Sequence, residues 1–270
     1  MYEDAEIECS AFRGLRRIFC IASAADTAIH LSLAHEVVAC DINPVQLEYA
    51  ERRVKGAPPV EGDAERVMGF LRTFIPLVGW RMALVREFLA FSNVKAQSAY
   101  WSERLDTRRF RGVFDLMMSR PMLRAFYSRQ LLRSLPPGFG AIVRARMARG
   151  FAVHANASNP YAALLLLGES PKLVRADAPH VRFVLNDAAS YLESCAPEYF
   201  DGFALSNILD GATPAYRERM LRAVRRGATG AGVVVLRSFG EPGKDLPKNF
   251  ADRDRSLLWG VVDVRRASEF

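Results

Sequence analysis

Three features of the sequence predict an α/β fold: a doubly wound, mostly parallel sheet with a large helical insertion after its second strand. Residues 16–43, RRIFCIASAADTAIHLSLAHEVVACDIN, hold two short apolar runs separated by a small-residue turn and a helical stretch, which is the outline of a β-α-β unit. The strand-helix alternation resumes at Val181 and continues towards the end of the chain. Between them, over 60–179, apolar residues recur at three- and four-residue steps, the period of a helix.

The elements follow in order. Residues 18–22 form a brief apolar run suited to a strand buried on both faces, and Ser23-Ala24-Ala25-Asp26 lets the backbone turn closely. A helix is expected from near Asp26 through Ile29, Leu31 and Leu33, and residues 37–40 form a second strand that ends at Asp41. An acidic residue ending the second strand of such a unit accepts hydrogen bonds from ribose hydroxyls, which makes Asp41 the ribose candidate. The first turn lacks the three glycines of the dinucleotide fingerprint and so has no cradle for a pyrophosphate. A nucleoside without phosphates fits it better, and S-adenosyl-L-methionine is the common cofactor of that description. The competing reading makes Asp41 a cap for the next helix, for which Asp-Ile-Asn-Pro is a good start signal.

Asn43-Pro44 opens a helix through Val45, Leu47, Tyr49 and Val54, closed by Gly56-Ala57-Pro58-Pro59. In the insertion, Val67, Leu71, Phe74, Ile75, Val78, Met82, Val85 and Leu89 are helically spaced, with a bend expected at Pro76. A further helix is expected over 121–135, and Asn159-Pro160 starts another that Gly168 ends. The third strand is 181–185, followed by Asn186-Asp187-Ala188 and a helix through Tyr191 and Leu192. Residues 200–205 give the fourth strand, 214–226 a helix and 232–236 the fifth strand. Residues 257–264 are expected as an antiparallel edge strand. The acidic stretch 2–12, ahead of the first strand, reads as a solvated helix or arm.

The chain has 270 residues, half of them apolar, enough for one sizeable domain. The net charge is +7, but Lys55, Lys95, Lys172, Lys244 and Lys248 are the lysines among 37 basic residues, and the arginines are scattered. No RNA-binding signature accompanies them, so nucleic acid is not an expected partner. Arginines beside the apolar faces of the insertion allow a membrane-surface contact, although packing on the sheet is the commoner use of such faces. Cys9, Cys20, Cys40 and Cys195 have no metal-ligand spacing, and His30, His35, His154 and His180 show neither metal nor triad spacing, so no metal is expected. A reduced, cytoplasmic protein is expected, peripheral to a membrane at most, since residues 70–91 are interrupted by Arg72, Arg81 and Arg86.

Certain segments carry a resemblance that runs the length of the chain. They are Tyr2-Glu3-Asp4, Ala22-Ser23-Ala24 with Asp26, Asp41-Ile42-Asn43-Pro44 with Gln46, Leu205-Ser206-Asn207-Ile208-Leu209-Asp210, and Arg253-Asp254-Arg255-Ser256 with Gly260. Together they resemble the S-adenosylmethionine-dependent 3-amino-3-carboxypropyltransferases of betaine-lipid synthesis, which act on diacylglycerol, and their relative isonocardicin synthase. The resemblance implies a Rossmann-like class I fold with S-adenosyl-L-methionine as co-substrate. It implies transfer of the 3-amino-3-carboxypropyl group to a hydroxyl or phenol of a small molecule or lipid, with methylthioadenosine released. A methyltransferase on the same cofactor and a nucleoside-binding protein without turnover are the alternatives. On this reading the cofactor would be held by Tyr2, Ala22, Ser23, Ala24, Asp26, Asp41, Ile42, Asn43 and Gln46, by Asp187 and Ala188 near adenine, and by Ser206 and Asn207 at its amino-acid end. Asp210, or else Asp4, would be the base. Arg237, Arg253 or Arg255 would bind a carboxylate by a two-point contact. Salt-bridging through Asp254 is the competing use of the last two, and capping of the helix at Pro214 the competing use of Asp210. The insertion would cover the acceptor site at the carboxyl edge of the sheet.

Overall fold

The computed structural model describes residues 3–57, 63–169, 180–244 and 246–270. Tyr2, the stop at Pro58-Pro59, and the limits of the insertion at Val60 and Pro179 lie outside them. Strands β1 (Arg17–Ile21), β2 (Glu36–Asp41), β3 (Val181–Leu185), β4 (Phe200–Ala204), β5 (Ala228–Ser238) and β6 (Val261–Arg266) form one sheet in the order β3-β2-β1-β4-β5-β6. All neighbours are parallel except β5 and β6, which pair antiparallel. The architecture is α/β with a mostly parallel sheet, compatible with a Rossmann-like fold.

Side chains of a strand alternate between faces, and β1 shows what this achieves. Ile18 and Cys20 enter one apolar cluster, with Ala28 and Ile29 of helix α2 (Asp26–Leu31) and Leu47 and Ala50 of α3 (Pro44–Val54). Helix α1 (Glu6–Ala11) adds Ile7 to that face. Phe19 points the other way into a second cluster.

The insertion carries helices α4 (Asp63–Thr73), α5 (Met82–Leu89), α6 (Val94–Tyr100), α7 (Arg108–Met117), α8 (Arg120–Leu123), α9 (Arg129–Ser134), α10 (Phe139–Val153) and α11 (Pro160–Leu167). The expected bend at Pro76 is a full break between α4 and α5, and the helix expected over 121–135 is split into α8 and α9. The insertion has an apolar cluster of its own, in which Trp80 stacks on Phe110 at 4.7 Å and Phe88 meets Phe151 edge-on at 4.9 Å. Leu257 and Leu258, just before β6, join that cluster and tie it to the sheet. Buried Arg146 of α10 reinforces the tie by donating to the carbonyls of Leu258, Phe239 and Gly240. Only glycine fits at Gly260, where a Cβ would lie 2.0 Å from the Gly240 carbonyl and 2.2 Å from Arg146. After β3 come α12 (Ala188–Ser194) and, after β4, α13 (Pro214–Gly227), whose Leu192, Met220 and Val224 cover the Phe19 face.

The segment 2–12 departs from expectation: Glu3, Asp4 and Glu8 are buried rather than solvated, because each meets a side chain from elsewhere in the chain. Among the described residues no helix is long and apolar enough to cross a membrane.

Candidate functional site

The carboxyl ends of β1, β2 and β4 open into a cavity of about 780 Å3. Its sheet end is polar and is lined by Ser23 and Ala24 after β1, Asp41, Asn43 and Gln46 after β2, Ser206 and Asn207 after β4, and Glu3. Its other end is apolar and is lined by insertion residues such as Trp80, Phe110, Phe114, Met117 and Leu166. The insertion therefore stands at the carboxyl edge of the strands, and its helices wall off the space beyond the polar end.

The turns at the polar end are tight. Ser23 (φ 43°), Ala25 (φ 65°) and Ser206 (φ 51°) occupy the left-handed region that glycine normally fills, at a cost of about 1–3 kcal/mol each. The Ala25 amide closes the first turn onto the Ala22 carbonyl at 2.7 Å. Small side chains there let the backbone approach a ligand. Asp41 accepts the Asn43 amide at 2.9 Å, while the cap of α3 is Asn43, whose side chain accepts from Val45 at 3.0 Å. The capping role thus falls to Asn43, and Asp41 faces the cavity. Burial pushes the Asp41 carboxyl above its ordinary value, and the amides of Asn43, Ser23 and Ile42 only partly offset it.

Several residues expected at the site are placed elsewhere. Ala22 is buried and Ile42 is exposed, and neither lines the cavity. Asp26 pairs with Arg53 of α3, which pins α2 to α3. Asp187 caps α12 through Ser190 and accepts from Tyr216 at 2.6 Å and Arg219 at 3.4 Å, with Ala188 buried beside it. Burial pushes the Asp187 carboxyl up, but the bonds from Tyr216 and Ser190 outweigh it and hold the group below its ordinary range. Asp210 joins the β4 turn to the end of β5, accepting from Ser238 at 2.6 Å and the Phe239 amide at 2.9 Å. It is off the cavity lining and committed to these donors, so it is poorly placed as a base.

The same applies to Asp4, whose oxygens take a fork of two 2.6 Å bonds from Arg255. Arg237 is wholly buried and donates to Glu8, to Asp254 and to the Asp4 carbonyl. Arg253 is exposed and lies over the Phe250 ring. None of these three arginines lines the cavity; Arg52, Arg66 and Arg72, on α3 and α4, do. The competing salt-bridge reading of Arg255 holds in altered form: its partner is Asp4, and Asp254 belongs to Arg237.

Burial pushes the Asp4 carboxyl up, yet the Arg255 bonds dominate and hold it below its ordinary value of 3.8. A carboxyl depressed on folding contributes stability that is full above its unfolded value and is lost as pH falls through the folded value. The stability gap between the natural chain and an Arg255→Gln variant should therefore be constant at neutral pH and close progressively below pH 3.8. Urea midpoints across that range check this. The gap should stay below the about 3–5 kcal/mol of a fully buried pair, because part of Arg255 faces water.

The residue that sequence reasoning missed is Glu3. It lines the cavity, is 6% exposed, and receives hydrogen bonds from Ser206 and, at 3.5 Å, from Thr27. Its place in an acidic stretch disguised it, and the only available signal was the tripeptide Tyr2-Glu3-Asp4 itself. Comparison with family models, curated proteins and solved structures gave no match to the chain.

Proposed function

We propose that the chain is a transferase that binds S-adenosyl-L-methionine at the polar end of the cavity and passes its 3-amino-3-carboxypropyl group to an acceptor oxygen held at the apolar end. The observation that carries this reading is the continuity of the two ends: a cosubstrate on the strand edges and an acceptor among the insertion helices would share one enclosure. The residues present fit the nucleoside. Asp41 is the ribose partner, Asn43, Gln46 and Tyr49 border the adenine side in place of Asp187 and Ala188, and the Ser23-Ala24 turn admits the sulfur close to the backbone.

The sulfonium supplies three electrophilic carbons, and the one in line with the nucleophile reacts. In the proposed transfer the acceptor oxygen bonds to the methylene carbon, the carbon–sulfur bond gives its electron pair to sulfur, and the acceptor proton is released to water. The chain forms no covalent intermediate. Its contribution is alignment at Asp41 and the turns, and an apolar, aromatic chamber for the acceptor. The acceptor is a small molecule or lipid bearing a hydroxyl or phenol. Peripheral contact with a membrane belongs to the same proposal, since α7 exposes Leu116 beside a basic face carrying Arg108 and Arg109.

By-product analysis tests the reading. With S-adenosylmethionine and panels of diacylglycerols, phenols and apolar alcohols, methylthioadenosine should accumulate in step with the product. S-adenosylhomocysteine as the sole nucleoside product would make the protein a methyltransferase instead. Tight nucleoside binding with no product from any panel would favour a binding protein.

A further inference from the structure

We propose that Glu3 is the ammonium-binding group of the cavity, receiving the α-amino group of the cofactor's amino-acid arm; the proposal rests on the nucleoside reading above. Glu3 is nearly buried, and it lines the polar end beside Ser23 and Ser206. Both of its oxygens are oriented by hydroxyls: Ser206 donates to one and Thr27 to the other. Among the described residues none of its bonds is to a cation. The guanidinium that acts on it electrostatically, Arg237, already serves Glu8, Asp254 and the Asp4 carbonyl.

Charge balance points to a ligand. Glu3, Asp4, Glu8 and Asp254 are set against Arg237 and Arg255, so this buried cluster has more carboxylates than cations. A buried carboxylate is costly unless a cation meets it, and burial indeed pushes the Glu3 carboxyl above its ordinary value. Glu3 lines the cavity, so a cation bound there could meet its carboxylate. A primary ammonium carries three donors on a compact centre and suits a carboxylate whose hydroxyl bonds leave lone pairs spare. The neighbouring sulfonium adds positive charge that favours the same end of the cavity.

This assignment separates substrate from by-product. S-adenosylmethionine and S-adenosylhomocysteine both carry the ammonium, whereas methylthioadenosine has lost it, so transfer of the arm removes this contact and favours release of the nucleoside.

Calorimetry with S-adenosylhomocysteine and methylthioadenosine on the full chain and on Glu3→Gln tests the proposal. Glu3→Gln should weaken S-adenosylhomocysteine by about 10- to 100-fold, the span of a hydrogen bond between charged groups, and leave methylthioadenosine unchanged. The unchanged ligand also shows that the variant is folded. Equal weakening of both ligands, or of neither, overturns the assignment and leaves the proposed function standing. Loss of turnover with S-adenosylhomocysteine affinity intact also overturns it, since that would make Glu3 a base. Failure of the natural chain to bind either nucleoside overturns the proposed function, and this assignment with it. If Glu3→Gln does not fold, Ser206→Ala, which releases one oxygen of Glu3, should show the same selectivity in smaller measure. Equal loss of both ligands there overturns the assignment.

Discussion

Replacing Arg237 with methionine is expected to lower folding stability by about 3–5 kcal/mol, among the largest effects of any single substitution in this chain. The guanidinium is wholly buried, with Glu8 and Asp254 bound to it at 0–1% side-chain exposure. Burial disfavours its charge, but the two carboxylates more than offset this and keep it protonated. Methionine fills much of the same volume while leaving both carboxylates without a cation, so the penalty is that of unpaired buried charge rather than of a cavity. The effect should appear as a lower urea midpoint with an unchanged slope. A substrate-binding arginine would behave otherwise, costing ligand affinity and little stability. If the variant melted like the natural chain and lost nucleoside binding alone, the structural role of Arg237 would be wrong.

The second large effect is on binding. Asp41→Ala is expected to weaken both S-adenosylhomocysteine and methylthioadenosine by about 10- to 100-fold, because both carry the ribose whose hydroxyls would donate to this carboxylate. Stability should change less than binding: the backbone amides that the Asp41 carboxylate meets, those of Asn43, Ser23 and Ile42, lie at turns, and the Asn43 bond is exposed where water can replace it. Asp41→Asn should recover part of the loss, since an amide oxygen still accepts. Calorimetry separates this pattern from the Glu3 one, in which a single ligand suffers. Unchanged affinities for both ligands in Asp41→Ala would place the nucleoside away from the end of β2.

What the sequence revealed, and what it hid, divides along the range of the interactions. Short-range signals were legible. The runs at 18–22, 37–41, 181–185 and 200–205 lie within one residue of β1 to β4, and β6 joins the edge antiparallel as expected but starts at Val261 rather than Leu257, because Leu257 and Leu258 pack into the insertion's apolar cluster. Asn159 caps α11 from its side chain, and Gly168 ends it in the left-handed region. Helix α10 was not legible, because its buried positions, Gly140, Val143, Arg146, Met147 and Gly150 among them, mix small and charged residues and make no apolar stripe. The early part of β5 was missed for a similar reason, since Ala228, Gly230 and Gly232 carry little strand propensity. At the site, Asp41, Ser23 and Ser206 were legible because the ends of parallel strands form a predictable edge. Asp4, Asp210 and Arg237 were misjudged because their partners lie 251, 28 and 229 residues away for Arg255, Ser238 and Glu8 respectively. A composition gives no hint of such pairings, and an acidic residue reads alike whether it faces a ligand or an arginine from the far end.

That same ion cluster dictates an order of assembly during synthesis. Residues 3–8 leave the ribosome well over 200 residues before their partners Arg237, Asp254 and Arg255. The insertion, with its self-contained aromatic cluster, can collapse while the ribosome is still extending the chain. The early acidic residues meanwhile stay hydrated, since no cation is yet available to bury with them. The wall of the cavity holding Glu3 therefore closes only when β5 and the segment before β6 arrive, so a chain halted before that point would carry a formed acceptor chamber and no finished place for the cofactor.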